Sequence, residues 1–362
     1  MKKNLLPLLA LLMCTFGPVL AQTSQKITAG KATEYGLIYS LPVTALDITI
    51  EAELSSETPG EFSNYARRHL GDDTAIRKAS RSARLKSITI TPRGIADPEN
   101  RWVAQFKAGS TPFMILSPEG IPLAINTEEA SMPQAPTLPE AKAAAPSPLE
   151  TEAARQAVTQ EMARSSSVSK RAELAAQRIF ELREMRSDIL SGQSDNTPPD
   201  GKAMQLVLDN IAAQEAALTA MFLGTRSTRT DVRTIELVPD SAEIDSRVIA
   251  RISAIDGIVD ADNLAGAPVR LSLQILEPAT LPANDKGEPK RFPKGGVAYT
   301  IPGTALVSVD YEGSEAASKE VSLAQLGVTF GLDPALFTDK KAPSMVRFDP
   351  TTGAILIIGP AE

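Results

Sequence analysis

The sequence predicts an α+β protein in which two β-rich regions flank a long antiparallel helical hairpin. Three observations carry this: period-two apolar alternation up to residue 126 and again after 224, apolar spacings of three and four across 168–224, and a Pro/Ala-rich stretch between the first β region and the helices. The expected division is a signal peptide over 1–21, a β-rich N-terminal domain with one short helix over 22–126, a linker over 127–167, the hairpin over 168–224 and a β-rich C-terminal domain over 225–362.

The leader comes first. Lys2 and Lys3 precede an apolar run from Leu5 to Phe16, followed by Gly17, Pro18 and Val19-Leu20-Ala21. This charged, apolar and cleavable order is that of a secretory signal peptide, with the mature chain starting at Gln22. The run is too short to cross a bilayer, and no later stretch shows the ~18 to 20 apolar residues of a transmembrane helix. Cys14 reads as part of the leader. A lipid-bearing cysteine wants small residues before it, where Leu11-Leu12-Met13 stand.

In the first β region Leu46, Ile48, Ile50, Ala52 and Leu54 alternate with Asp47, Thr49, Glu51 and Glu53, so one face is apolar and the other mostly acidic. Further strands are expected over Leu85–Thr91, Arg101–Lys107, Phe113–Leu116 and Ile121–Ile125. Thr58-Pro59-Gly60 opens a short helix from Glu61 to Leu70 that stops at Gly71. From Thr127 to Glu150 prolines at 133, 136, 139, 146 and 148 and a lack of large apolar side chains predict a semi-extended linker. Thr151 to Arg164 is Ala-rich and at most a marginal helix.

The hairpin follows. Val168, Ala172, Ala175, Ile179, Leu182 and Ile189 fall on one helical face, as do Met204, Leu208, Ile211, Leu218 and Phe222, with turn residues from Ser191-Gly192 to Asp200-Gly201 between them. Two such helices leave apolar surface uncovered, so they must dock on a β domain, another copy or a partner. After Gly224, strands are expected over Arg233–Val238, Arg247–Ile252, Val269–Ile275, Val297–Ile301 and Ala305–Tyr311, and Met345–Ile358 contains a hairpin turn at Asp349-Pro350-Thr351-Thr352-Gly353.

The two β regions also resemble each other. Tyr39-Ser-Leu-Pro-Val-Thr-Ala-Leu46 aligns without gaps on Tyr299-Thr-Ile-Pro-Gly-Thr-Ala-Leu306, with five identities in eight. Met114-Ile-Leu-Ser-Pro-Glu-Gly120 and the strand after it parallel Val346-Arg-Phe-Asp-Pro-Thr-Thr-Gly353 and the strand after that. Either the β unit is duplicated or strand starts marked by Pro and Thr look alike by chance.

Composition limits the chemistry. The chain holds one cysteine, Cys14, one histidine, His69, and one tryptophan, Trp102. Cysteine nucleophiles, disulfides, cysteine-based zinc sites and iron-sulfur clusters therefore have no ligands once the leader is gone, and a Ser-His-Asp set could use only His69. Loss of Lys2 and Lys3 with the leader takes the net charge from −7 to −9. That balance disfavours nucleic acid; the densest basic stretch, Arg77 to Lys86, reads as a solvated loop without stacking aromatics.

Other candidates are weaker than their structural readings. His69 suits a helix C-terminus. Asp256-Gly-Ile-Val-Asp-Ala-Asp-Asn263 fails the EF-hand pattern, because Ala265 holds the glycine position and Leu271 the glutamate position, and it reads as a turn. Glu51 and Glu53 could in principle form a glycosidase pair, but acids on one strand face are commoner as a solvated edge. Gly94 and Gly295-Gly296 lack phosphate-loop spacing. No catalytic, cofactor-binding or metal-ligating residue is assigned, and no cofactor is expected.

Gly36-Leu-Ile-Tyr-Ser-Leu-Pro-Val-Thr-Ala-Leu46, Thr58-Pro-Gly-Glu-Phe-Ser-Asn-Tyr65 with Gly71, Ala172-Glu-Leu-Ala175 through Leu190-Ser-Gly-Gln-Ser-Asp-Asn196, Asp200-Gly-Lys-Ala-Met204, Ala213-Gln-Glu-Ala-Ala-Leu218 and Phe348-Asp-Pro-Thr-Thr-Gly-Ala354 are similar to family 4831 of the domains of unknown function, exported proteins of Bacteroidota. The resemblance spans nearly the whole mature chain and implies a Gram-negative envelope location, periplasmic or outer-membrane-associated. It brings no activity or site residue. The expected function is thus a non-enzymatic exported interaction or structural module, with a protein partner or a second copy on the helical hairpin. A carboxylate-dependent glycan hydrolase and a glycan-binding module are the alternatives.

Overall fold

A computed structural model describes residues 34–107, 112–132, 138–193, 201–240, 242–339 and 342–361. The leader, with Cys14 and the Gln22 start, lies outside the described residues. The chain is mixed α and β and mostly strand, in three sheets and a helical unit.

The apolar alternation at Leu46 to Leu54 belongs to a much longer strand, β1 (Glu34–Thr58), paired along its length with β2 (Ser80–Lys107). The expected strands at 85–91 and 101–107 are parts of this one β2. Pro92, Gly94 and Pro98 divide them in sequence without breaking the strand. On its other side β1 pairs with β5 (Thr225–Leu237), giving the order β2-β1-β5. The acidic face of β1 therefore does not lie on a sheet edge, as the sequence suggested, but in the middle strand.

The second sheet has the order β10-β9-β8-β6-β7, from β6 (Ile244–Ser253), β7 (Gly257–Val259), β8 (Ala267–Glu277), β9 (Val297–Tyr311) and β10 (Ser314–Leu332). The two expected strands 297–301 and 305–311 are the single strand β9. β10 has no counterpart in the sequence reading. Its signal was the two-residue turn Glu312-Gly313, with φ of 51° and 79°, closing a hairpin between Tyr311 and Ser314.

The three- and five-stranded sheets share one core, in which Leu46, Ile48 and Ile50 of β1 meet Val269 and Leu271 of β8 and Val307 and Val309 of β9. β3 (Met114–Leu116), β4 (Pro122–Ile125), β11 (Ser344–Phe348) and β12 (Ile355–Pro360) form the third sheet, ordered β12-β11-β4-β3. With Tyr39, Leu41, Val297 and Phe337, its Ile125, Val346 and Phe348 make a second core. Strands from the two β-rich regions share sheets and cores: β1 pairs with β5, β4 pairs with β11, and both cores draw on each region.

The two long hairpins break register alike. Leu41 of β1 stands against four residues of β2, because Ser40 faces Arg101 and Pro42 faces Ala96. Pro302 of β9 likewise stands against four residues of β10, because Ile301 faces Val328 and Gly303 faces Leu323. Tyr39 faces Trp102 and Tyr299 faces Phe330. Beside each break the backbone makes matching bonds: Ser40 N–H donates to the Gly120 carbonyl at 2.9 Å, and Thr300 N–H to the Gly353 carbonyl at 3.1 Å. The turns that supply those glycines also match. Gly120 N–H reaches the Ser117 carbonyl at 2.9 Å and Gly353 N–H the Asp349 carbonyl at 2.8 Å, while Ser117 and Asp349 each donate at 2.8 Å to Ile121 and Ala354.

The helices form the third core. α1 (Ala66–Leu70), α2 (Glu152–Ala157), α3 (Gln160–Arg164), α4 (Val168–Ser191) and α5 (Lys202–Leu223) join the open ends of β1, β2 and β5. α1 ends as expected at Gly71, whose φ of 69° is the left-handed cap. The end of the stretch read as linker is ordered helix: Thr151, Thr159 and Ser167 cap α2, α3 and α4 with their hydroxyls, and Ala157 and Met162 are buried. These short helices, not a sheet, cover α4 and α5. Residues 138–147 contain no helix or strand, but Lys142 and Thr230 exchange backbone hydrogen bonds at 3.1 and 2.9 Å, which ties the segment to β5. A last short helix, α6 (Ala335–Thr338), follows β10.

Leu208 does not sit in the helical core as its stripe suggested; it is half-buried, and Ile179, Leu182, Ile211, Leu218 and Phe222 are the anchors. By length and composition α5 would suffice to cross a membrane, contrary to the sequence reading, because its alanines count as apolar. Here it packs on α2 and α4.

Candidate functional site

The acidic face of β1 is a ladder of ion pairs. Asp47 accepts from Arg93 at 2.7 Å, Glu51 from Lys86 at 2.5 Å, Glu53 from Arg84 at 2.8 Å and Glu57 from Arg226 at 2.9 Å. Arg84 and Lys86 belong to the basic stretch read as a loop. The structure corrects that reading: β2 begins at Ser80, Arg84 stands directly across from Glu53, and Lys86 occupies the register shift beside Glu51, which itself faces Ser87.

This pairing answers the glycosidase idea in chemical terms. Lys86 holds the Glu51 carboxyl below the ordinary glutamate range through its hydrogen bond, with the Ser87 hydroxyl adding to the effect and burial opposing it. A general acid needs the opposite shift, so that it stays protonated at neutral pH. The Glu51–Lys86 pair is instead a source of pH-dependent stability. A depressed carboxyl stabilises the fold above its unfolded value of about 4.3, and that contribution disappears as the pH falls through the lower folded value. Lys86→Gln is therefore expected to flatten the acid side of the stability profile while changing its alkaline side little. Urea denaturation at neutral pH and below the glutamate range checks this; an unchanged acid limb would rule out the Glu51 contribution.

His69 sits in the last turn of α1, half-buried, with its ring 6.2 Å from that of Tyr65 and 6.4 Å from that of Phe222. Its Nε2 is buried without a hydrogen-bond partner among the described residues. Among the described residues no hydrogen bond from this Nε2 joins it to a serine or a carboxylate, as a triad requires. The aspartate-rich stretch forms turns: Asn263 N–H donates to the Asp260 carbonyl at 3.1 Å, the Asn263 side chain accepts from Ala265 N–H at 3.0 Å, and Asp260 pairs with Arg233. Among the described residues no three His, Cys, Asp or Glu side chains are grouped to hold a metal ion.

Gly94 has a structural purpose. A Cβ there would lie 2.0 Å from the Pro350 carbonyl oxygen. Gly295 occupies a turn with φ of 69°.

Two concavities were not anticipated. One of about 280 Å³ lies between α2 and α5, lined by Leu149, Ala154, Val158, Leu218 and Met221 with Glu61 and Arg155. It is small for an organic ligand. The other, about 660 Å³, is bordered by Glu288, Lys290, Arg291, Phe330, Leu332 and Asp333. Of the aromatic rings only Phe330 lines it, and that ring meets Phe292 edge-on at 6.3 Å, with Phe292 stacked in turn on Trp102 at 5.5 Å.

The family model for a domain of unknown function, DUF4831, matches residues 35–356. The chain belongs to that family. The match runs from β1 to β12, so this DUF4831 chain takes in all three sheets and the helical unit. No curated protein and no solved structure matches the chain.

Several large apolar side chains of this DUF4831 chain are exposed. Phe180, Met185 and Leu190 on α4 and Leu206 on α5 are exposed, Leu190 and Leu206 lying near the ends of the helices that face residues 192–201. Leu356, Ile357 and Ile358 are exposed in succession on β12.

Proposed function

We propose that this chain is a non-enzymatic exported protein of the cell envelope that works as an interaction or structural module, with the antiparallel hairpin of α4 and α5 as its surface for a protein partner. The supporting observation is at the tip of that hairpin. Leu190 and Leu206 are 64% and 71% exposed, although the same two helices bury Ile179, Leu182 and Phe222 almost completely. Large apolar side chains left in water on helices that otherwise bury theirs are groups that a contact surface would cover. The leader's order of charge, apolar run and small-residue site supports export.

We further infer that the β region is duplicated, the first unit running from β1 to β4 and the second from β9 to β12. What supports this is the pair of one-against-four register breaks at Leu41 and Pro302 and the matching bonds of Ser40 to Gly120 and of Thr300 to Gly353. They recur at the positions that the sequence alignment pairs, to within one residue. The corresponding long-range hydrogen bonds add to the likeness of the two short peptides.

The test is crosslinked capture from native envelopes. The chain is expected to retain a defined protein, and the Leu190→Lys, Leu206→Lys double variant is expected to lose it at an unchanged melting temperature. Capture that survives the double variant would overturn the hairpin as the surface. Release of reducing ends from envelope glycans by the purified protein would replace the reading with a hydrolase.

A further inference from the structure

The third sheet contains one junction between the two β units and the two halves of another. In the order β12-β11-β4-β3, β3 and β4 form the hairpin that ends the first unit, and β11 and β12 form the hairpin that ends the second. They meet where β4 pairs antiparallel with β11, Ile125 facing Val346 and Ala124 facing Arg347. The second strand of one unit thus joins the first strand of the next. Among the described residues, β12, a second strand, and β3, a first strand, each pair on one side only.

The side chains agree with this reading of the edges. In the alignment of the two hairpins Leu123, Ala124 and Ile125 of β4 correspond to Leu356, Ile357 and Ile358 of β12. The β4 residues are fully buried beside β11, whereas their β12 counterparts are 51%, 44% and 48% exposed. β3 has three half-buried apolar residues, Met114, Ile115 and Leu116, and the exposed Phe113 precedes it. Over the segments to be paired, Ile355–Ile358 and Met114–Leu116, neither edge carries a charge or a proline, and Pro360 ends β12 beyond them.

We propose that β12 of one molecule pairs antiparallel with β3 of a second copy of this chain, repeating between molecules the β4–β11 junction and joining copies head to tail. The inference rests on the duplication and interaction-module readings and names the occupant of one surface. Carrying the internal register across sets Ile358 opposite Met114 and Ile357 opposite Ile115. Because the two edges differ, the contact is heterologous and propagates into an open chain of copies rather than closing as a symmetric pair.

Single cysteines test both the partner and the register, because Cys14 is the only cysteine in the sequence and Cys14→Ser can serve as the common background. Adjacent antiparallel pairs alternate between a Cα separation of about 5.5 Å and a closer one of about 4.5 Å, both within disulfide reach. Oxidising a mixture of Ile358→Cys and Met114→Cys proteins, and separately of Ile357→Cys and Ile115→Cys, is expected to give mixed dimers that neither variant forms alone. A chain carrying both members of a pair is expected to give a ladder of higher oligomers. Ile357→Lys should abolish self-association in sedimentation at an unchanged melting temperature. Crosslinking of Ile358→Cys only with itself would overturn the proposal in favour of a symmetric pair, and an absence of any crosslink would overturn it outright. Neither result touches the hairpin reading, which is decided at Leu190 and Leu206.

Discussion

Phe222→Ala is expected to destabilise the protein by about 3–5 kcal/mol, the range for truncating a buried phenylalanine. The ring is fully buried at the end of α5, 5.3 Å from the ring of Phe62 and packed beside His69. It also stands at the joint between helices and sheets. Phe62 N–H donates to the Met221 carbonyl at 2.7 Å, Ile76 N–H donates to the Leu223 carbonyl at 2.9 Å, and Gly60 and Gly224 pack so closely that neither could carry a Cβ unmoved. Loss of the ring leaves a cavity in a region held by backbone contacts that cannot collapse freely into it. Leu208→Asp is expected to cost much less, because Leu208 is half-buried and lies outside the helical core. Chemical denaturation compares the two directly. A Phe222→Ala cost no larger than that of Leu208→Asp would mean that the helices are an appendage rather than a packed unit.

The difference between these residues shows where sequence reasoning was sufficient and where it was not. Spacings of three and four identify the apolar face of a helix, and Ile179, Leu182, Leu218 and Phe222 are buried accordingly. Periodicity says nothing about how far a neighbour extends along that face, so Leu208, near the start of α5, was counted with residues that short helices cover. Those short helices were themselves obscured. Alanines and prolines over 127–167 give no apolar stripe, and what fixes α2, α3 and α4 is a hydroxyl cap on each from Thr151, Thr159 and Ser167.

Strand lengths were misjudged for a related reason. Pro92 and Pro98 look like terminators, yet β1 holds β2 in register around a four-residue excursion, and pairing outweighs local propensity. For the candidate chemistry, the types of residue were legible and their partners were not. Glu51 and Glu53 read as free acids because Lys86 and Arg84 are more than thirty positions away in sequence. The likeness of Tyr39–Leu46 to Tyr299–Leu306 was visible from the start, but only the register breaks and the two glycine carbonyl bonds give it structural weight.

Gly94→Ala is the other substitution with a large expected effect, and the reason lies across the fold. Gly94 faces Thr44 between β2 and β1, and a Cβ at position 94 would come within 2.0 Å of the Pro350 oxygen and 3.0 Å of the Thr351 Cα. These are backbone atoms in the turn between β11 and β12, so no side-chain rotation relieves the overlap. Moving the turn away breaks what it holds. The buried Thr44 hydroxyl donates to the Thr351 carbonyl at 3.1 Å and accepts from Ala324 N–H at 3.0 Å, and Thr300 N–H donates to the Gly353 carbonyl at 3.1 Å. Overpacking costs about 1–3 kcal/mol and one buried polar group left unpaired about 1–3 kcal/mol more, so a total of about 2–6 kcal/mol is expected. Gly71→Ala supplies the contrast. That glycine has φ of 69° and nothing within 4 Å of an added Cβ, so the change meets only the left-handed backbone penalty of about 1–2 kcal/mol. Both are read in the same denaturation experiment. If Gly94→Ala proved no more costly than Gly71→Ala, the turn after β11 would not be clamped against β2, and the packing of the third sheet on the first would have to be redrawn.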